Sequence, residues 1–333
     1  MSGLTTSPVP CGFTDHGQAN PACASVVGIP CLHRCAVMGI VNVTDDSFSG
    51  DGLTATEAAI HHALGLIENG ADLVDIGGES TRPGAPRVPE SQELNRVIPV
   101  VRELANAGAI ISVDTTRASV AAEAVKAGAH VINDVSGGLA DPAMATLVAE
   151  TGIAYVCTHW RTPSATMDSQ DHYPGGYQDV VTELHQRLDA LDAAGVRSEQ
   201  IIVDPGLGFS KAGHINWEIL AHTEAFRALG FPVLIGASRK RFLASTIDEH
   251  LANPASPAAP ANPAPQASPI PLSPAIAPHP AAPSSPTLRD DATAAVTALA
   301  AISGAWAVRV HAARASRSAV CVAADWMRGR KSL

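Results

Sequence analysis

AVMGIVNVTDDSFSGDG, residues 36–52, decides the fold. Apolar and small residues run from Ala36 to Val41, Val43 follows the polar Asn42, and the run then breaks into Asp, Ser and Gly. Such a run, bounded by a polar, Gly-containing turn, predicts a strand buried on both faces that opens into a loop. No helix signal follows until Thr54. Asn42 and Thr44 therefore stand where the strand ends, and in a parallel α/β fold that end faces the ligand crevice.

The unit recurs along the chain. A predicted helix over 54–69, stopped by Gly70, leads to a strand over 72–76 and the loop GGESTRPGAPR (77–87). Helix 91–107 precedes strand 110–113 and Asp114; helix 118–127 precedes strand 130–132, Asn133 and Asp134. Helix 141–150 opens on Asp141-Pro142, an N-cap followed by proline at the first helical position. Strand 153–158 then ends at His159, and helix 179–194 leads to strand 201–203 and Asp204. Helix 214–229, strand 233–235 and GASRKRF (236–242) come next. Helix 289–302, strand 305–310 with His311, and helix 315–327 close the chain. Eight strand–helix units predict a parallel (β/α)8 TIM barrel. A doubly wound open sheet is the alternative, disfavoured because no G-x-G-x-x-G follows the first strand.

Two stretches break the pattern. Residues 1–35 are rich in Pro, Ser, Gly and Cys without periodicity and predict a poorly ordered extension, leaving 36–329 as the barrel domain. Residues 254–286 hold 12 Pro and 10 Ala among 33 residues and no Asp, Glu, Lys or Arg. That composition blocks both helix and sheet, so a disordered, PPII-like surface insertion is expected to split the seventh helical segment.

Composition narrows the function. A net charge of −10 argues against nucleic-acid binding, and no apolar run approaches a membrane span. The first basic residue is Arg34, so no signal peptide is expected and a cytoplasmic location is implied. Six cysteines at this length make no disulfide framework. Cys11, Cys23, Cys31 and Cys35, with His16 and His33, match no standard zinc spacing, so free thiols are expected. Cys157 and Cys321 fall in apolar elements and are expected in the core.

Every strand end carries polar residues: Asn42, Glu79/Thr81/Arg82, Asp114, Asn133, His159, Asp204, Ser238/Lys240 and Arg309/His311. One such residue alone reads as a turn or helix cap. Eight sets are harder to dismiss, because a barrel gathers them on one face. Asp114, Asn133 and Asp204 suit a flat heterocycle rich in N–H and C=O. Arg82, Lys240, Arg309 and His311 suit a polyanion such as diphosphate. Asn42 offers a neutral oxygen to a hard cation such as Mg²⁺. No G-x-S-x-G, P-loop or H-E-x-x-H is present.

MGIVNVTDDSFS (38–49), DIGGESTRPGA (75–85), SVDTTR (112–117), INDVSGG (132–138), DPGLGF (204–209), GASRKRF (236–242) and VRVH (308–311) together resemble the dihydropteroate synthase family, most closely its actinobacterial form. The resemblance spans 36–327 apart from the insertion. It implies a homodimeric folate-pathway transferase that joins p-aminobenzoate to 6-hydroxymethyl-7,8-dihydropterin diphosphate. By motif, Asp114, Asn133, Asp204, Phe209 and Lys240 would hold the pterin. Asn42 would bind Mg²⁺ with the diphosphate, whose charge Arg82, Arg309 and His311 would share. Phe48, Thr81, Pro83, Ser238 and Lys240 would form the p-aminobenzoate pocket, where sulfonamides compete. Asp114, Lys240, Arg309 and His311 carry the expected catalytic roles.

The chain departs from the family pattern in three places. The first loop reads SFSGDG where the family has SFSDGG, displacing Asp51 by one position; the fifth strand ends CTHWR (157–161) where a Met-His segment is common; and the insertion is extra. Two alternatives follow: a catalytically impaired pterin-binding paralogue, or a pterin-dependent methyltransferase, which would have no use for the SRK, RVH and ESTRPGA motifs.

Overall fold

The computed structural model describes residues 26–44, 54–79, 87–162, 171–211, 213–252 and 285–331. The first half runs β1 (Ala36–Asn42), α1 (Ala55–Glu68), β2 (Leu73–Gly77), α2 (Glu90–Asn106), β3 (Ile111–Asp114), α3 (Ala118–Ala127), β4 (Val131–Asp134) and α4 (Met144–Thr151). The second half runs β5 (Ala154–Thr158), α5 (Tyr177–Ala193), β6 (Ile201–Asp204), α6 (Gly213–Ala221), α7 (Thr223–Arg227), β7 (Leu234–Ile235), α8 (Arg241–Ala252), α9 (Pro286–Ile302), β8 (Ala307–Val310) and α10 (Ala313–Lys331).

All eight strands are parallel, in the order β6-β5-β4-β3-β2-β1-β8-β7. A single parallel bridge between Val203 and Val233 closes β6 onto the start of β7, completing the predicted barrel. Alternation along each strand sorts the side chains. Met38, Leu73, Val131, Val156, Ile202 and Ala307 fill the barrel's interior. Their neighbours, such as Val37, Val74, Ile132, Cys157 and Val203, pack outward against the helices. Further along the strands the inward positions turn polar, at Asp75, Asp114, Asn133, Asp204 and Arg309, which places the polar cluster at the C-terminal mouth.

Several local expectations are corrected. Residues 26–35 do not trail away. Val26, Val27, Ile29 and Leu32 pack on the interior cluster, and Arg34 pairs bidentately with Asp72 at 2.7 and 2.6 Å. This segment closes the N-terminal end of the barrel. Cys31 is disulfide-bonded, contrary to the expected free thiol, whereas Cys35, Cys157 and Cys321 are free. Cys157 is core as expected; Cys321 is exposed on α10. Helix α4 starts at Met144 because Asp141 accepts from the Ala118 and Ala143 amides at 2.8 and 3.0 Å, forming a turn ahead of the helix. The helix expected over 214–229 breaks at His222 (φ −117°, ψ 36°), whose ring stacks on Tyr177 with centroids 4.0 Å apart.

Of the expected insertion, 254–284 lies outside the described residues; Ser285 and Pro286 instead begin α9 as its N-cap and first residue. No helix among the described residues is long and apolar enough to cross a membrane, and they contain no His/Cys/Asp/Glu cluster fit to hold a metal.

Candidate active site

Register brings the polar strand residues together. Cα partners Gly77↔Asp114 and Asp114↔Asn133 set β2, β3 and β4 side by side, while Met38↔Arg309 ties β8 to β1. Across this mouth Arg309 Nε donates to Asp75 Oδ2 at 2.5 Å and Nη2 donates to Asp114 Oδ2 at 2.8 Å. Asn133 Nδ2 donates to the same Asp75 oxygen at 3.0 Å. Asp75 is fully buried, and its Oδ1 has no partner among the described residues. One arginine between two buried carboxylates is a demanding arrangement, because each charge gives up its water.

The opposite side of the mouth carries Asp204 and Lys240. The Gly206 amide donates to Asp204 Oδ1 at 2.7 Å, fixing the carboxylate plane. Lys240 Nζ donates to the Leu207 carbonyl and lies 4.5 Å from the centre of the Phe209 ring, a cation–π contact. Gly236, just after β7, lies between Asp204 and Arg309: a Cβ there would make ordinary contact with both, 3.6 Å from Asp204 Oδ2 and 4.0 Å from Arg309 Cβ. At the rim, Ser238 Oγ and His311 Nδ1 are 2.8 Å apart, and the His311 amide donates to Ser238 Oγ at 3.2 Å.

Burial governs the charges. It pushes the Asp114 carboxyl up to about 7, with Arg309 pulling the other way, and it also raises Asp204 against the pull of Lys240. It lowers Lys240 to about 8, partly offset by Asp204. Arg309 pays the same desolvation, yet Asp75 and Asp114 outweigh it and hold the guanidinium above its ordinary range. The site therefore holds groups that change charge near neutrality on a permanently cationic support.

The expected pterin group of Asp114, Asn133, Asp204, Phe209 and Lys240 is thus gathered at one mouth. Arg309, expected to share a diphosphate's charge, directs Nε and Nη2 to the carboxylates of Asp75 and Asp114. His311 is paired with Ser238, a residue expected in the other pocket. Asn42 continues the inward face of β1 beyond Ala36 and Met38. One neutral protein oxygen fits Mg²⁺, which keeps water and phosphate oxygens as its other ligands. Phe48, Thr81, Arg82 and Pro83, with Asp51 and its loop, lie outside the described residues. The flanks of the second loop are fixed: Glu79 pairs with Arg87 at 3.1 Å and with Arg117 at 2.9 Å.

Among the described residues, the buried charged groups that escaped assignment from sequence include Asp75 and Lys211. Asp75 sits inside a strand instead of at its end; an ionisable residue in the apolar run LVDIG was its only signal. Lys211 follows the DPGLGF motif, where a lysine reads as surface.

A profile described as "Pterin binding enzyme" matches residues 38–311. Dihydropteroate synthase of Mycobacterium leprae is 44% identical over 296 residues, covering 87% of this chain and 93% of that protein. Among solved structures, the Xanthomonas albilineans dihydropteroate synthase with 4-aminobenzoic acid superposes with a TM-score of 0.73 at 36% identity, covering 89% of this chain and 93% of that one. A Yersinia pestis dihydropteroate synthase–sulfonamide complex gives a TM-score of 0.73 at 32% identity, covering 89% and 95%.

Proposed function

The chain belongs to the pterin-binding enzyme family, among its dihydropteroate synthases, and from that membership we propose how its residues carry the reaction. It is a transferase of folate biosynthesis, forming 7,8-dihydropteroate from p-aminobenzoate and 6-hydroxymethyl-7,8-dihydropterin diphosphate. The observation that carries the residue assignment is the joined set Asp114–Arg309–Asp75–Asn133 facing Asp204 and Lys240.

Asp114, Asn133 and Asp204 hold the pterin ring through its N–H and C=O groups, and Lys240 donates to the ring from beside Phe209. Asp75 accepts from both Arg309 and Asn133, so it orients a pterin donor and the guanidinium together. Bound Mg²⁺, held by Asn42, would supply neutralisation of the leaving diphosphate's charge. Arg82, His311 and Arg309 share that charge from the protein side. As the C–O bond to diphosphate breaks, positive charge develops at the pterin methylene, and ionised Asp114 stabilises it. The arylamine nitrogen of p-aminobenzoate then attacks the methylene and loses a proton, so no protein nucleophile is required.

Ser238, with Phe48, Thr81 and Pro83, shapes the p-aminobenzoate pocket, which sulfonamides enter as competitors. The enzyme works in the cytoplasm as a homodimer. Leu299 on α9 and Val322 and Trp326 on α10 are each more than 60% exposed, and the latter two share one helical face, an apolar patch suited to a second copy. Asp114→Ala and Lys240→Ala test the assignment: each should nearly abolish product formation while the far-ultraviolet spectrum stays native. Wild-type rates in both would refute it.

A further inference from the structure

The loop between β6 and α6 carries much of the site, and one of its residues holds a strained backbone conformation. Gly206 and Gly208 have φ of +69° and +73°, and Ser210, a residue with a Cβ, has φ of +49°. Glycine adopts such φ freely, so the strain falls on Ser210, which needs support from outside its own backbone. The loop nonetheless supplies the Gly206 amide to Asp204, the Leu207 carbonyl to Lys240 and the Phe209 ring beneath the Lys240 ammonium.

The support is a buried amine. Lys211 Nζ donates to the Gly206 carbonyl at 3.0 Å and the Phe209 carbonyl at 2.9 Å, and it lies 2.9 Å from His159 Nδ1. The side chain folds back under its own loop, with Lys211 8% and His159 2% exposed. His159 Nε2 lies 2.9 Å from Glu183 Oε2, so its proton sits on Nε2 and Nδ1 is an acceptor. Burial, with the Lys211 charge beside it, lowers His159 to about 4 and keeps the ring neutral. Three acceptors thus surround the Lys211 nitrogen, although burial lowers this amine well below the ordinary lysine range. Glu183 is itself held by Arg161 at 2.9 Å, which anchors the network to α5. Asn216 clamps the loop from outside, accepting from the Gly208 amide at 2.7 Å and donating to the Lys211 carbonyl at 3.2 Å.

We propose that Lys211 and His159 are positioning residues for the pterin half-site: the Lys211–His159 contact fixes the left-handed 206–210 loop, and through it Asp204, Phe209 and Lys240. Neither residue touches substrate. The proposal rests on the synthase assignment above, and it makes the loss selective. Asp204, Phe209 and Lys240 all serve the pterin, whereas only Lys240 also borders the p-aminobenzoate pocket, so the two substrates respond unequally.

The test compares wild type with Lys211→Met, His159→Leu and His159→Asn, whose Oδ1 stands in for Nδ1 as acceptor. KM for each substrate is measured, along with amide hydrogen exchange of the 204–211 segment. Lys211→Met and His159→Leu should raise KM for the pterin diphosphate about tenfold or more and change that for p-aminobenzoate less than about threefold. His159→Asn should recover most of the loss. Exchange in 204–211 should accelerate in the first two variants while β1 to β4 stay protected. Should Lys211→Met fail to fold, the His159 pair carries the same contrast. Unchanged exchange and unchanged pterin KM in His159→Leu, or equal rises for both substrates, would overturn the proposal. An inactive wild type would count against the synthase assignment instead, and the exchange contrast would still decide the loop's support.

Discussion

Arg309 Nη2 donates to Asp114 Oδ2 across 2.8 Å, joining the last strand of the barrel to the third. With Nε on Asp75, the guanidinium is the counter-charge for two carboxylates that are each at most 6% exposed. Removing it strands both. Arg309→Met should destabilise the fold by about 3–5 kcal/mol, the usual cost of breaking a buried ion pair from one side. Urea unfolding at neutral pH checks this, and a loss below about 1 kcal/mol would show that the carboxylates do not depend on Arg309.

The same burial sets a pH response. Asp114 lies near 7 and Lys240 near 8, and the mechanism needs the first ionised and the second protonated. The kcat/KM for the pterin diphosphate should rise through about pH 7 and fall beyond about pH 8, a narrow bell. Stability runs the other way on the acid side. Asp114 binds its proton more tightly folded than unfolded, so its contribution is complete below the ordinary Asp range and is lost as pH rises through about 7. A flat activity profile across this window would contradict the assignment.

Gly206 is needed for two separate reasons. Its φ is +69°, and a Cβ there would run into the His159 carbonyl oxygen. Gly206→Ala should cost about 1–2 kcal/mol from the left-handed backbone alone, with the clash added, and should weaken pterin binding as the Asp204 carboxylate loses its amide donor. Thermal unfolding and calorimetric titration with the pterin substrate measure the two effects. Native values for both would mean that the loop adapts.

Trp326 tests the assembly. Trp326→Glu places a charge in the exposed α9–α10 patch without touching the barrel. The variant should elute as a monomer in size-exclusion chromatography with light scattering, its melting temperature shifting only as far as dimer loss requires. An unchanged dimer would place the interface elsewhere.

The barrel was legible because strands exit into polar residues and most helices stop at a glycine, such as Gly70, Gly108, Gly128, Gly152, Gly195, Gly230 and Gly304, and those signals are local. Asp114, Asn133 and Asp204 could be named on the same basis. Asp75 could not, since only the register Asp75↔Ser112 shows that a mid-strand residue points into the mouth. Arg309 could be named but not paired; its partners come from strands 195 and 234 residues away in sequence. Val26–Cys35 misled because an apolar plug of ten residues has no periodicity to read. Cys321 misled because α10 keeps one apolar face exposed, so an apolar stretch did not mean burial.

The most direct measurement is product formation by the purified chain with the pterin diphosphate, Mg²⁺ and p-aminobenzoate, following 7,8-dihydropteroate by mass and diphosphate by release. Product that requires all three components, and that a sulfonamide suppresses in competition with p-aminobenzoate, is the predicted result. Pterin binding without turnover would contradict it and would identify a pterin-binding paralogue, with the SFSGDG loop as the first place to look.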